Sequence, residues 1–143
     1  MAEHRTVRLA IGKDHFKTDI EVGPHTLLAD EPQGVGGTDQ GPDPYGLLLA
    51  SLGACKAITV RMYADRKQWP LESLELALSH ERIHAEDCDD CESTSGMVDR
   101  ITCQITPHGP LDGEQRSRLV EIADKCPVHR TLSGEIRIST SLA

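Results

Sequence analysis

The chain has 143 residues, enough for one domain spanning 1–143 to bury a core without disulfide or metal staples. Acidic residues number 23 against 15 basic ones, and the net charge of −8, with no basic cluster to offset it, disfavours nucleic acid as a partner. The opening stretch MAEHRTVRLAIGKDH lacks the apolar core of a signal peptide and no unbroken apolar run reaches membrane-spanning length, so the expected setting is the cytoplasm, with no membrane contact. Five cysteines in a reducing compartment read as thiols, redox groups or metal ligands before structural disulfides.

Val7, Leu9 and Ile11 alternate with polar residues, a turn follows at Gly12 to Asp14, and alternation resumes over 16–22, a hairpin pattern. Gly23-Pro24 breaks it, 25–30 reads as a third strand, and the Gly- and Pro-rich segment 31–43 reads as an irregular loop. Asp43 is placed to cap a helix with Pro44 at its first position. Leu48, Leu52, Cys55, Ile58, Thr59 and Met62 keep helical spacing to about Lys67, and further apolar residues fill the other faces. The helix is therefore expected to be nearly enclosed, at a length of about 35 Å.

Past Trp69-Pro70 the period returns to two, with Leu74, Leu76 and Leu78 on one face of a strand running toward His84. An acidic turn over 86–96 separates it from a partner strand, 98–106, where Cys103 sits between Ile101 and Ile105 and reads as core. Asp112 and Gln115 form a capping-box pair for a helix whose stripe is Leu119, Ile122, Ala123 and Cys126, limited by Pro127. A last strand over 135–140, with Ile136 and Ile138 inward, completes the order βββ-α-ββ-α-β of an α+β fold.

Two groups of side chains carry chemistry. Cys55, midway along the apolar helix, and Cys126, at the end of the amphipathic one, are placed so that two helices bring their thiols together, although a lone cysteine in an apolar helix is ordinarily inert packing. The second group is HERIHAEDCDDC. Its Cys88-x-x-Cys91 is zinc-type spacing, but His80 and His84 on one strand lie about 13 Å apart, so at most one of them, with His84 the candidate, joins the two thiols. The competing reading is a polar loop whose two thiols form a reversible disulfide. His25 is expected to shape the loop over Cys55, while His4, His15 and His108 read as surface residues.

Five segments carry a resemblance: HTLLADEP at 25–32, the Gly36-Gly37 loop, GPDPYGLLLASLGAC at 41–55, RMYADRKQWPLE at 61–72 and ADKCPVHRTL at 123–132. In this order the chain resembles the OsmC/Ohr family of thiol-dependent hydroperoxide reductases, in its YhfA-type branch of OsmC-like proteins, over nearly its whole length. The resemblance implies an intertwined homodimer in which antiparallel sheets pack on two long helices, with sites at the subunit interface and the long helix partly covered by a second copy. It implies that Cys55 attacks an organic or lipophilic hydroperoxide, that Cys126 resolves the sulfenic acid, and that an external dithiol reduces the disulfide, with no cofactor.

One departure stands out. The peroxidase branches pair an arginine from the loop before the long helix with a glutamate near its start, but this chain has no Arg between Arg8 and Arg61, and Tyr45 stands where the glutamate is expected. A thiolate in mid-helix gains little from the helix dipole. His129 and Arg130 are the candidate substitute cations, Thr59 a candidate hydrogen-bond donor to Cys55, and Tyr45 a candidate binding residue. The alternative function is a non-catalytic OsmC-like protein that senses or binds through redox or metal chemistry, with zinc at Cys88 and Cys91.

Overall fold

The structure is a computed structural model that describes residues 5–143, leaving His4 outside the described residues, and it forms two compact units, one ending at Leu48 and the other beginning at Leu49.

In the first unit β1 (Val7–Ile11), β2 (Thr18–Val22) and β3 (His25–Ala29) form an antiparallel sheet in chain order, with Val7 opposite Val22 and Val22 opposite His25. Gly23, at φ 58°, takes the left-handed conformation that lets β2 turn into β3 within two residues. Ile20 is buried, whereas Leu9 and Ile11 on β1 are 61% and 58% exposed. His25 is an exposed residue at the start of β3. His15 and His108 are exposed as expected, the latter bonded to Glu75.

Between β3 and the long helix the loop is irregular apart from one 3-10 turn over Gln33–Val35, and a buried carboxylate organises it. Asp30 is 2% exposed and accepts hydrogen bonds from the Thr38 hydroxyl (2.7 Å) and from the backbone N–H groups of Glu31 (2.7 Å), Gln40 (3.1 Å) and Thr38 (3.4 Å). The Thr38 hydroxyl is the main cause of a carboxyl pKa lowered to about 2; burial opposes it, and the amides reinforce it. Because the folded-state pKa lies below the ordinary value of 3.8, the stabilisation is complete above that value and disappears as pH falls through about 2. Thermal melts across this range should show wild type losing its advantage over Asp30→Asn between about pH 4 and pH 2; two parallel curves would dismiss the carboxylate as the loop's organiser.

Helix α1 runs from Pro44 to Lys67, starting in the first unit, and Asp43 caps it by accepting the Gly46 N–H at 2.8 Å. Its far end closes where Gln68 turns left-handed at φ 57° and the Trp69 N–H reaches the Ala64 carbonyl at 2.9 Å. Leu52, Lys56, Val60 and Ala64 recur every four residues and form the buried stripe. The expected near-enclosure is not met within one chain: Ile58 is 59% and Met62 67% exposed. By length and composition α1 passes as a membrane span, at a mean hydropathy of 1.3, something a count of consecutive apolar residues does not register; its mid-helix lysine belongs instead to a protein-packed face.

In the second unit α1 packs with the hairpin β4 (Ser73–His84) and β5 (Met97–His108), two 12-residue strands paired along their whole length from Ser73–His108 to His84–Met97. Gly53 permits the approach, since a Cβ there would stand 2.9 Å from Leu78 Cδ1. Gly109, at φ 136°, turns the chain out of β5 where a side chain would overlap the Pro70 carbonyl. The core joins Val60, Ala64, Leu71, Leu111, Leu119, Ile122 and Ala123.

Helix α2 (Gly113–Ala123) carries the expected capping box, Asp112 with Gln115. It ends before Cys126, which is instead the N-cap of α3 (Pro127–Ser133), so Pro127 starts a third helix where it was expected to limit the second. Proline fits the first turn because its missing N–H has no intrahelical acceptor there. The second of two long helices is therefore 11 residues, followed by one of 7. Nor does 135–140 form a strand: the segment has no regular structure, and Ile136 and Ile138 are 46% and 86% exposed. A strand needs a ladder partner, and none is paired with it among the described residues.

Candidate functional site

Cys55 and Cys126 meet. The break at 124–126 turns the chain so that the head of α3 lies against the middle of α1, with the Val128 N–H 3.5 Å from Cys55 Sγ and the His129 N–H 3.3 Å from Cys126 Sγ. The two thiols are neighbours, each held by an amide of the same turn. Cys126 is fully buried and Cys55 partly exposed. Burial pushes the Cys126 thiol up, the His129 amide pulls it down, the neighbouring Cys55 pushes it up, and Lys56 opposes weakly. Cys126 is thus held as a protonated thiol beside a more accessible one.

A buried cation stands next to this pair, and it is neither of the expected ones. Lys56 is 3% exposed, and its ammonium contacts the Ala123 carbonyl (3.2 Å), Asp124 Oδ1 (3.1 Å) and His129 Nδ1 (2.8 Å). His129 is a partner of that cation rather than the cation itself. Arg130 is exposed and bonds to neither thiol. Thr59 donates nothing to Cys55, which is served by the Val128 amide. Tyr45 is 55% exposed on the first turn of α1, within the first unit. Lys56 had a signal in the sequence: it is the lone charge in LLLASLGACKAIT, on the stripe of Leu52, Val60 and Ala64. A charge there must find partners when buried.

Lys56 and His129 line a cavity of about 280 Å³ together with Asp124, Ile101 and Cys103. Cys103 is therefore a cavity wall and not closed core as expected; burial raises its thiol, with Lys56 opposing and Asp124 reinforcing the shift. Further along α1 a larger groove of about 560 Å³ has Met62, Ile122 and Pro127 in its walls beside Arg66 and Lys125, and passes Thr59, one turn from Cys55.

The HERIHAEDCDDC segment departs from the zinc reading. Cys88 and Cys91 are joined as a disulfide on the β4–β5 connection, the competing reading of this loop, and in that state they offer no thiolate to a metal. Asp90 lies with these two sulfurs in a group spanning 4.8 Å, but His84, the exposed last residue of β4, is not in it. His80 pairs with Asp99 at 2.9 Å.

The fold and the paired sulfurs define a class: an α+β protein with antiparallel sheets, one long helix bearing a thiol at its middle, and a second thiol delivered by a short helix head. The chain belongs to the OsmC family, whose model, described as OsmC-like protein, matches residues 37–141. Among solved structures it is similar to an OsmC-like protein from Mycoplasma pneumoniae, at 19% identity over 94% of this chain and 90% of that one, with a TM-score of 0.72. It is similar to an organic hydroperoxide resistance protein from Legionella pneumophila, at 18% identity over 94% and 92% of the two chains and a TM-score of 0.66. A third, from Elizabethkingia anophelis and also named as an organic hydroperoxide resistance protein, shares 15% identity over 94% and 91% with a TM-score of 0.68. No curated protein sequence matches the chain.

Proposed function

We infer that this chain is a thiol-dependent peroxidase of organic, lipophilic hydroperoxides, working as a cytoplasmic homodimer. The observation that carries the reading is that one turn holds the sulfurs of a partly exposed Cys55 and a buried Cys126 side by side. In the reaction the Cys55 thiolate attacks the terminal oxygen of the hydroperoxide, the O–O bond breaks and the alcohol departs, leaving a sulfenic acid. The Cys126 thiol then displaces water to form the Cys55–Cys126 disulfide, which an external dithiol returns to two thiols. A raised thiol suits the second role, since it competes little for peroxide and needs only to meet the sulfenic acid.

Three further observations support the reading. Two structural relatives are named for organic hydroperoxide resistance. The cavity that His129 borders has Leu52, Ile101 and Leu132 in its walls, apolar surface that stabilises an alkyl group and offers little to hydrogen peroxide. Ile58, Met62, Ile138 and Leu142 stand in solvent in the single chain, as a homodimer that covers them requires. Assignment to the YhfA-type branch rests on the segments quoted from the sequence. A second reading, a redox or metal sensor, is favoured by the Cys88–Cys91 disulfide with Asp90 beside it; zinc would bind there after reduction.

The test is stopped-flow oxidation of the fully reduced, chelator-treated protein by cumene hydroperoxide, with Cys55→Ser beside it. Stoichiometric consumption much faster than by a free thiol, lost in Cys55→Ser, with the new disulfide mapped to Cys55 and Cys126, is the expected result. Consumption at the free-thiol rate would reject the peroxidase, and stoichiometric zinc on reduced Cys88 and Cys91 would favour the sensor.

A further inference from the structure

Thiolate attack on a hydroperoxide expels an alkoxide, a strong base that leaves readily only if it receives a proton as the O–O bond breaks. The chain lacks the arginine that its resemblance would place beside the thiol, and Cys126 retains its proton for the second step. The cavity bordered by Lys56 and by His129, whose backbone N–H is on Cys126 Sγ, holds a different proton source.

An ammonium has three N–H donors and no acceptor. The three contacts of Lys56, to the Ala123 carbonyl, the Asp124 carboxylate and His129 Nδ1, use all of them. Nδ1 is therefore the unprotonated ring nitrogen, and the imidazole carries its hydrogen on Nε2. With Nδ1 held by Lys56, Nε2 is the ring nitrogen left to a ligand, and the side chain of His129 is 36% exposed and borders the cavity. Its own backbone N–H is on Cys126 Sγ and that of Val128 is on Cys55 Sγ, so the ring is borne by the turn that holds both sulfurs.

We propose that Lys56 and His129 form a proton relay to the leaving oxygen of the hydroperoxide, with Asp124 positioning the lysine. This deepens the peroxidase reading and rests on it. As the Cys55 thiolate takes the terminal oxygen, the alkoxide takes the Nε2 hydrogen, and Nδ1 takes a hydrogen from the Lys56 ammonium across 2.8 Å. The products are Cys55 sulfenic acid, a neutral alcohol and a neutral lysine amine that accepts from the Nδ1–H; the resting state returns when Nε2 takes a proton from solvent and Nδ1 passes its own back to the lysine. Charge balances, since the thiolate and the ammonium are both neutralised. The imidazole is neutral before and after and changes only its tautomer. His129 is thus a catalytic residue of the first step.

The relay is tested by comparing two oxidants in single-turnover mixing with the reduced full chain: tert-butyl hydroperoxide, whose leaving alkoxide needs a proton, and peracetic acid, which expels acetate and does not. His129→Gln and Lys56→Met are expected to lose on the order of 100-fold or more with the alkyl hydroperoxide and roughly tenfold less than that with the peracid. Equal losses with both oxidants would reveal a structural role, and no loss would reveal none; either overturns the relay while leaving the peroxidase reading intact. A wild type no faster than a free thiol with the alkyl hydroperoxide overturns the peroxidase reading itself and the relay with it. Nitrogen NMR of the histidine ring gives a readout apart from activity: His129 Nδ1 should resonate as an unprotonated acceptor and change in Lys56→Met, and a protonated Nδ1 in the reduced wild type overturns the relay.

Discussion

Cys126→Ser is expected to consume a single equivalent of cumene hydroperoxide at close to the wild-type rate and then stop, with Cys55 trapped as its sulfenic acid and steady-state turnover with a dithiol lost. Serine preserves the local structure, because the residue is the N-cap of α3 and the Oγ can accept the His129 N–H in place of Sγ. It removes the nucleophile that condenses with the sulfenic acid, so no Cys55–Cys126 disulfide forms for an external dithiol to reduce. Dimedone labelling of Cys55 after one turnover is the measurement. Continued turnover, or a first step as slow as in Cys55→Ser, would show that the two thiols do not divide the work as assigned.

Asp124→Ala should destabilise the chain more than Lys56→Met, even though Asp124 is 65% exposed and the lysine side chain only 4%. Removing the carboxylate leaves an ammonium enclosed by protein without its counter-charge. Breaking a buried pair this way costs roughly 3 kcal/mol, toward the low end of the range because one partner is open to water. Removing the lysine instead lets the carboxylate return to solvent, fills the site with a similar apolar volume, and leaves the Ala123 carbonyl short of a donor, a cost of about 1–2 kcal/mol. Urea unfolding at constant m-value decides between them. Equal costs for the two variants, or an Asp124→Ala within about 0.5 kcal/mol of wild type, would mean that water reaches the ammonium and that its burial is not what holds the α1, α2 and α3 junction together.

Much of this architecture was legible residue by residue. Asp43 and Pro44 start α1, Gln115 completes the box with Asp112, and the alternation of Leu74, Leu76 and Leu78 against Ile101, Cys103 and Ile105 pairs two strands. Such signals are local: a cap, a break or a two-residue period depends on neighbours in the chain. The two thiols were legible as a pair because the motifs around them resemble one family. What they touch was not: the residues past Cys126 offer His129 and Arg130 as cations, while the buried lysine stands one residue after Cys55.

The sequence by itself determined the α+β class, the ends of α1, the hairpins and the identity of the two cysteines, since capping, period and motif are properties of contiguous residues. The tertiary structure alone decided the rest. It decided that Cys126 leads a new helix, that residues 135–140 pair with no strand among the described residues, that Cys103 faces a cavity, and that Cys88 and Cys91 are joined. Above all it decided that Lys56 lies under Asp124 and His129, residues 68 and 73 positions further along. The physical reason is range: a buried charge is defined by the partners that compensate it, and those are brought by the path of the whole chain, not by the residues on either side.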